Sequence, residues 1–387
     1  MKIEQIYSII NDVTSEVTGK TDLVKEDLSN VVDIGTEIFN STDVDNYVKS
    51  LSNKVGKVIF VNRKYNGKIP SVYMDSWEFG SVLQKINADL PQATENETWE
   101  LENGASYDTN IFYKPTVSAK FYNSKVTFEV PMSFTEKQVK ESFNSASELN
   151  AFISMLYNAV EKSMTVKTDA LIMRTINNMI AQTKNTDNAN IRAINILSKY
   201  NTARGLTGAS ALTVAKCLTD SDFLKFASRE IALYADRMSS LSTLFNIGGK
   251  ERFTPKELLH IVLLSDFAQS TKTYLESDTY HKELVSLPNY ETVPYWQGSG
   301  TSFEFGKTSK IDVTITDTTN NSAKKDVSVS GVLGVMFDRD CLGVTNLDRR
   351  VTTNYNPKAE FFSNWYKFDC GYFNDMNENF VFFYVAD

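Results

Sequence analysis

Hydrophobic positions fall into blocks of different period along the chain. Near the start, Ile3, Ile6, Ile10, Val13 and Val17 recur at intervals of three and four, which lays one apolar stripe along a helix. A shorter helical pattern runs through Val44, Val48, Leu51 and Val55. The polar, acidic segment between them has no regular period, so residues 1–57 read as an N-terminal arm.

From Lys57 the character changes. Val58-Ile59-Phe60-Val61-Asn62-Arg63 opens a run of alternating apolar and polar segments broken by Gly67, Pro70, Gly80, Pro91, Gly104, Pro115 and Pro131, the punctuation of strands and turns. Residues 58–131 are therefore expected to be β-rich. The stretch from Glu95 to Asn103 has little to bury, yet the region carries the large aromatics Trp77, Phe79 and Trp99. Aromatics over so weak a core call for a second surface, supplied by a partner.

After Pro131 there is no Gly or Pro until Gly205, and a long helix is the natural reading. Ser145 or Ser147 supplies an N-cap. The stripe then runs Leu149, Phe152/Ile153, Leu156, Val160 and Met164, and re-phases near Thr165 as Val166, Ala170, Met173, Ile176 and Ile180. A helix from Glu148 to about Gln182 would be ~50 Å long, a beam longer than a small domain is wide. Asn150, Asn158, Glu161, Lys162, Lys167, Asp169 and Asn177 make its other face polar, so it is expected to lie on the surface.

Residues 186–343 read as a mixed lobe. Helices are expected around 189–199 and, after Asp220, through Phe223, Phe226, Ile231 and Tyr234. Leu258–Leu264 is apolar enough for a buried strand, although Thr254-Pro255-Lys256-Glu257 has the cap, proline and glutamate of a helix start; strand is the preferred reading. Ile311–Ile315 alternates as a strand does, and a further strand is expected from Val327 to Phe337. In residues 344–387 a turn at Asn356-Pro357 separates aromatic and β-branched runs that end in Phe380–Val385, a hairpin finishing on a core strand.

Charge and composition narrow the function. The 387 residues carry 40 Lys+Arg against 48 Asp+Glu, a formal net charge of -8, and the densest basic clusters are the pairs Arg63-Lys64, Lys324-Lys325 and Arg349-Arg350. That excludes a protein whose main work is gripping nucleic-acid phosphates. Cys217, Cys341 and Cys370 are far apart and suit a reducing compartment. The N-terminus does not read as a signal peptide, and no apolar run approaches the ~20 residues of a membrane span.

Candidate chemistry is sparse. Gly19-Lys20-Thr21 and Gly306-Lys307-Thr308 resemble the end of a phosphate-binding loop, but the leading glycine position holds Thr14 in one and Thr301 in the other. Of the two histidines, His260 sits inside an apolar run and reads as a core residue, and His281 stands alone. Asp338-Arg339-Asp340 is the best carboxylate pair, and a strand-end turn or salt-bridge cluster explains it more simply than acid–base chemistry. Residue chemistry thus points to no active site, no metal and no cofactor, and the chain is expected not to be an enzyme.

The order of parts, together with several local runs, resembles the major capsid proteins of tailed bacteriophages, most of all those of small, short-tailed phages (podoviruses). The runs are Val117–Tyr122, Val126–Val130, Ser145–Ile153, Tyr157–Val160, Val335–Asp340, Asn356-Pro357 and the aromatic segment Phe361–Phe373. The resemblance implies an α+β fold of the Hong Kong 97 type. Its parts would be an N-arm (1–57), an extended β loop (58–131), a peripheral domain with the spine helix (132–185), an apical domain (186–343) and a returning hairpin of the peripheral domain (344–387). It implies a self-assembling head subunit of the virion, made in the host cytoplasm and forming hexamers and pentamers. Scaffolding protein and portal are further partners, packaged DNA is touched only non-specifically, and no membrane is involved. The Ile3–Val17 stripe of the arm would lie on another chain or on the subunit's own spine helix; Ile3, Ile6 and Ile10, with Arg63, Lys64, Trp77, Phe79 and Trp99 of the loop, are the expected inter-subunit contacts. Some members of the fold crosslink a loop lysine to an asparagine of another subunit, and Lys64, Lys68 and Lys85 are in the right region. A nanocompartment shell of the encapsulin type, a tail or portal component, and an enzyme using Asp338 and Asp340 are the alternatives.

Overall fold

The computed structural model describes residues 3–21, 23–40, 44–62, 69–74, 83–88, 90–91, 93, 95–96, 100–107, 109–187, 189–278, 289–296, 309–317 and 323–387. In chain order the N-terminal part holds helices α1 (Ile3–Thr18), α2 (Val31–Asn40) and α3 (Val44–Asn62), then short strands β1 (Tyr73–Met74) and β2 (Leu83–Ala88). Strands β3 (Val117–Tyr122) and β4 (Lys125–Thr135) lead into helices α4 (Glu136–Ser142) and α5 (Ala146–Thr186). Next come β5 (Ala193–Asn195), α6 (Ile196–Arg204), α7 (Val214–Cys217), α8 (Ser221–Met238), β6 (Leu259–Leu264), α9 (Ser265–Asp278) and β7 (Glu291–Val293). The chain closes with β8 (Lys310–Thr316), β9 (Lys324–Ser330), β10 (Val332–Asp338), β11 (Leu342–Asn356), β12 (Phe361–Asn374) and β13 (Phe380–Tyr384).

Two sheets make the body. One has strand order β1-β11-β12-β4, the other β5-β13-β10-β6-β7, and β2-β3 and β8-β9 are separate two-stranded ribbons. β11 and β12 form a long antiparallel hairpin, paired from Leu342 opposite Asn374 to Asn356 opposite Phe361 with one register shift between Asn346 and Asp348, and β4 pairs along the outer side of β12. β13 runs antiparallel to β10 and parallel to β5, so the last strand is inserted in the middle of the five-stranded sheet. Phe380, Val381, Phe382 and Phe383 are all buried there, as expected for a strand covered on both faces.

Helix α5 is the beam the pattern predicts. At 41 residues it spans about 60 Å at 1.5 Å per residue. The Ser145 hydroxyl accepts from the Glu148 amide at 3.2 Å and so caps it. Leu149, Ile153, Leu156, Val160 and Met164 are buried in the phase expected. The expectation of a surface-lying helix holds only for this first half. From Thr168 onward residues on every side are buried, Asn177 included, because the helix passes against both sheets and the β8–β9 ribbon. The re-phasing near Thr165 marks where it goes from half-covered to enclosed.

Elsewhere the pattern and the fold part in instructive ways. Residues 58–62, expected to open the β region, are the end of α3. Tyr47, Val48, Leu51 and Val55 are buried on that helix and nothing breaks it before Asn62, so continuation outweighs the β preference of Val58 and Ile59. The helix expected around 189–199 starts later. The Asp187 carboxylate accepts the amides of Arg192 at 2.8 Å and Ala193 at 2.6 Å, which holds the chain extended through β5, and Asn195 then caps α6 by accepting from the Ser198 amide at 3.2 Å. Leu259–Leu264 is a strand, as preferred, and α9 follows directly, a helix that the apolar pattern does not mark. The single strand expected from Val327 to Phe337 is two strands in two different sheets. Gly331, at φ +68°, turns the chain between them, and a Cβ there would lie 2.2 Å from the Val385 carbonyl oxygen.

The N-terminal helices pack on the subunit itself. α1 lies along α3 and touches α5, and α3 also contacts β11 and β12. Tyr47 meets Phe143 edge-on at 5.6 Å, and a Cβ on Gly35 would come within 2.7 Å of Phe143, so α2 sits close against the corner between α4 and α5.

Candidate assembly surface

The excursion between β1 and β4 reverses the usual relation of sheet to core. Its root is tied down: in the turn Pro70–Val72 the Ser71 amide donates to Glu291 Oε1 at 3.2 Å and its hydroxyl to Oε2 at 2.7 Å. Burial raises the Glu291 pKa against those two hydrogen bonds. Strands β2 and β3 then pair antiparallel, with Lys85 opposite Lys120 and Ile86 opposite Ala119. Because side chains alternate across a ribbon, Lys85 and Lys120 share one face while Ile86, Val117, Ala119 and Phe121 share the other.

The lysine face is the one turned to the body. Lys85 Nζ lies 3.0 Å from Asp375 Oδ2, 3.4 Å from Glu378 Oε1 and 2.7 Å from the Asp340 carbonyl oxygen, and Lys120 Nζ lies 3.1 Å from Asp375 Oδ1. Arg252 Nε closes the group at 3.4 Å from Glu378 Oε2. Burial alone would raise the Asp375 pKa, but Lys85, the Asn377 amide and Lys120 together hold it below the ordinary carboxylate value. For Glu378 burial prevails over the attraction of Lys85 and Arg252, and its pKa is raised. Lys85 moves the other way from a simple buried lysine: burial lowers it, while Asp375 and Glu378 raise it by more. Burial and the negative charge of Asp375 push the Tyr122 hydroxyl up.

The apolar face is left open. Phe121 and Ile86 are each 64% exposed, and in the connecting segment Phe112 and Tyr113 are 85% and 82% exposed. Leu90, Leu101, Ile111 and Val117 are exposed as well. Apolar side chains clustered on one excursion, with no core of their own, mark a surface made to be covered.

The expected contact residues are distributed unevenly. Ile6 and Ile10 are fully buried inside their own subunit, on the α1 face against α3, which leaves them no surface to offer another chain. Ile3 begins α1. Arg63, Lys64, Trp77, Phe79 and Trp99, with Lys68, lie outside the described residues. Lys85 is engaged with carboxylates, as above. The apolar side chains that the structure brings to the surface, Ile86, Phe112, Tyr113 and Phe121, are other than those chosen from sequence. For Phe121 the signal is the alternation in Val117–Tyr122, which shows two faces without showing which is inward; Ile86, Phe112 and Tyr113 lie outside that run.

The remaining candidates for chemistry have structural partners. Asp338 accepts from the Thr254 hydroxyl at 2.7 Å and from the Asp340 amide at 2.9 Å, and Asn379 Nδ2 donates to Thr254 Oγ1 at 3.1 Å, so the carboxylate organises the turn after β10. His260 packs beside Phe337 at 5.9 Å between ring centres, and burial, reinforced by Arg339, lowers its pKa. Cys217, Cys341 and Cys370 are buried and unbridged. Among the described residues no His, Cys, Asp and Glu side chains gather as metal ligands, and no helix is long and apolar enough to cross a membrane.

Residues 6–384 match the family model described as Phi29-like phage major capsid protein. The chain belongs to that family. Solved structures agree on the fold: a chain in the capsid structure of Staphylococcus phage Andhra is similar at a TM-score of 0.54 and 9% identity, over 85% of this chain and 86% of that one. A chain in the structure of the head fiber and inner core protein gp22 of native bacteriophage P68 is similar at a TM-score of 0.50 and 8% identity, over 84% and 86%. No curated protein matches. The fold is thus the Hong Kong 97 type expected from the order of parts, and as a Phi29-like major capsid protein the chain is a structural subunit that assembles with copies of itself into a virion shell. The tail, portal and nanocompartment readings are not favoured.

Proposed function

We propose that this subunit closes a head around double-stranded DNA by forming hexamers and pentamers through heterologous contacts, with the excursion of each subunit covering its neighbour. The observation that carries this reading is the row of exposed apolar side chains on an excursion that is pinned at its root and lacks a core. The four-stranded sheet with the first half of α5 is read as a peripheral domain and the five-stranded sheet as an apical one, so that β13, expected within the peripheral hairpin of residues 344–387, goes with the apical sheet instead. Scaffolding protein and portal are the further protein partners of such a subunit. The net charge of -8 favours loose, non-specific contact with packaged DNA. The subunit works by assembly alone: the Asp338 carboxylate is occupied in holding the turn after β10, and the half-buried His260 packs beside Phe337.

Light scattering and negative-stain electron microscopy of the purified full chain, alone and with the scaffolding protein of its own phage, test this. Closed shells are the expected result. Open tubes or rings of fixed size under both conditions would overturn it.

A further inference from the structure

The β2–β3 ribbon is inside out. Its lysines face the body, flanked by the half-buried Leu83 and by Tyr122, whose ring packs on Phe373, while Ile86, Val117 and Phe121 face away, although turning the ribbon over would bury these three against the subunit's own surface. Hydrophobic burial favours the turned-over arrangement, so something must hold the observed one. Lys85 and Lys120 stand directly opposite each other, a pairing of like charges that costs free energy unless a counter-charge lies between them.

Asp375 is that counter-charge. One of its oxygens takes Lys85 and the other Lys120, at 3.0 and 3.1 Å, and its side chain is 0% exposed. Its own position is set by the body: its amide donates to the Cys341 carbonyl at 2.7 Å, and its Oδ1 accepts the Asn377 amide at 3.1 Å. A carboxylate buried this deeply is costly without its cations. Strand alternation then does the rest, because two lysines fixed inward force the neighbouring apolar residues outward.

We infer that the Lys85–Asp375–Lys120 bridge is an orienting clamp, which keeps the ribbon's apolar face turned from its own subunit and reserved for a second copy of the chain. The second copy is the occupant because the family assembles with itself and because Ile111, Phe112 and Tyr113, in the segment that leads into β3, are exposed apolar residues of the same excursion. This inference rests on the shell reading proposed above for its partner, and on geometry alone for the clamp.

The test uses the full chain as free subunits and then under assembly conditions. Hydrogen exchange is measured on the amides of β2 and β3, with those of β10 and β13 as the internal reference. In Asp375→Asn, the ribbon amides are expected to exchange at least about tenfold faster while the reference strands keep their protection. Lys120→Gln, which removes the more exposed arm and leaves Asp375 its other cation, is expected to move the same amides less. Should Asp375→Asn unfold the body, Lys120→Gln decides alone. Ile86→Ser with Phe121→Ser is expected to keep ribbon protection in the free subunit and to lose particles. Unchanged ribbon exchange in Asp375→Asn or Lys120→Gln would overturn the clamp, and particles at wild-type yield from the double serine variant would overturn the reserved face. If the wild type forms no shell under any condition, the assembly reading fails while the exchange comparison still judges the clamp.

Discussion

Strands β12 and β13 and the β2–β3 ribbon are built from the same material and used in opposite ways. β13 sits in mid-sheet with both faces covered, and β12 alternates with its more apolar face against the helices, so burial stabilises each within one chain. The ribbon has the same alternation, but its inward face sets Lys85 and Lys120 between Leu83 and Tyr122, and its exposed face carries Ile86, Val117 and Phe121. The difference teaches that alternation states only that a strand has two faces. Which face goes inward is decided by what the body offers: an apolar layer for β12 and a buried carboxylate for the ribbon.

The largest losses of stability are expected in the body. Phe382→Ala removes a fully buried ring from mid-sheet and is expected to cost about 3–5 kcal/mol, read from thermal or denaturant unfolding of the free subunit. Gly331→Ala is expected to cost about 1–3 kcal/mol, because a Cβ must tolerate φ +68° next to the Val385 carbonyl; a neutral result would mean the β9–β10 corner relaxes freely.

A change of pH sharpens the contrast at the ribbon, where Asp375 and Glu378 meet Lys85, Lys120, Tyr122, Arg252, Asp338, Asp340 and Cys341. Glu378 is raised above 4.5, so the clamped state binds its proton more tightly than a released one would, and acidification toward 4.5 strengthens that contribution. Asp375 is lowered below 3.8, so its contribution is present above that value and is lost as pH falls below it. Ribbon amide protection, corrected for intrinsic exchange, is expected to hold from neutral pH to 4.5 and to fall below 3.8. Opening of the ribbon between neutral pH and 5 would contradict the assignment.

The smallest expected effect on stability belongs to the excursion. Phe112→Ser with Tyr113→Ser touches side chains that are already in water, and the free subunit is expected to unfold within about 0.5 kcal/mol of wild type. The yield of particles, by contrast, is expected to collapse. Large stability loss with normal particles would reverse the roles assigned to the two regions.

Much of the body is legible from the chain alone. The spine helix declares itself through the absence of Gly and Pro and through the Ser145 cap, and the closing hairpin through Asn356-Pro357 between aromatic runs. These signals are local. The end of α3 is missed because Val58 and Ile59 favour strands in isolation, while the helix they complete is stabilised by packing on α1. The enclosure of Asn177 is missed because it depends on strands that arrive more than a hundred residues later. The clamp is the least legible part: Lys85 and Asp375 are 290 residues apart, and a lysine in a strand ordinarily reads as solvent-facing. For the same reason Ile6 and Ile10, good apolar candidates for a contact, are in their own core, and the outward side chains are Phe112 and Phe121.

If the outward apolar face of the excursion joins one copy to the next, its aromatics must pass from water into an interface on assembly. Hydroxyl-radical footprinting of Phe112, Tyr113 and Phe121, compared between free subunits and assembled shells, tests it directly. Strong labelling is expected in free subunits and marked protection in shells. Equal labelling of the three aromatics before and after assembly would contradict it.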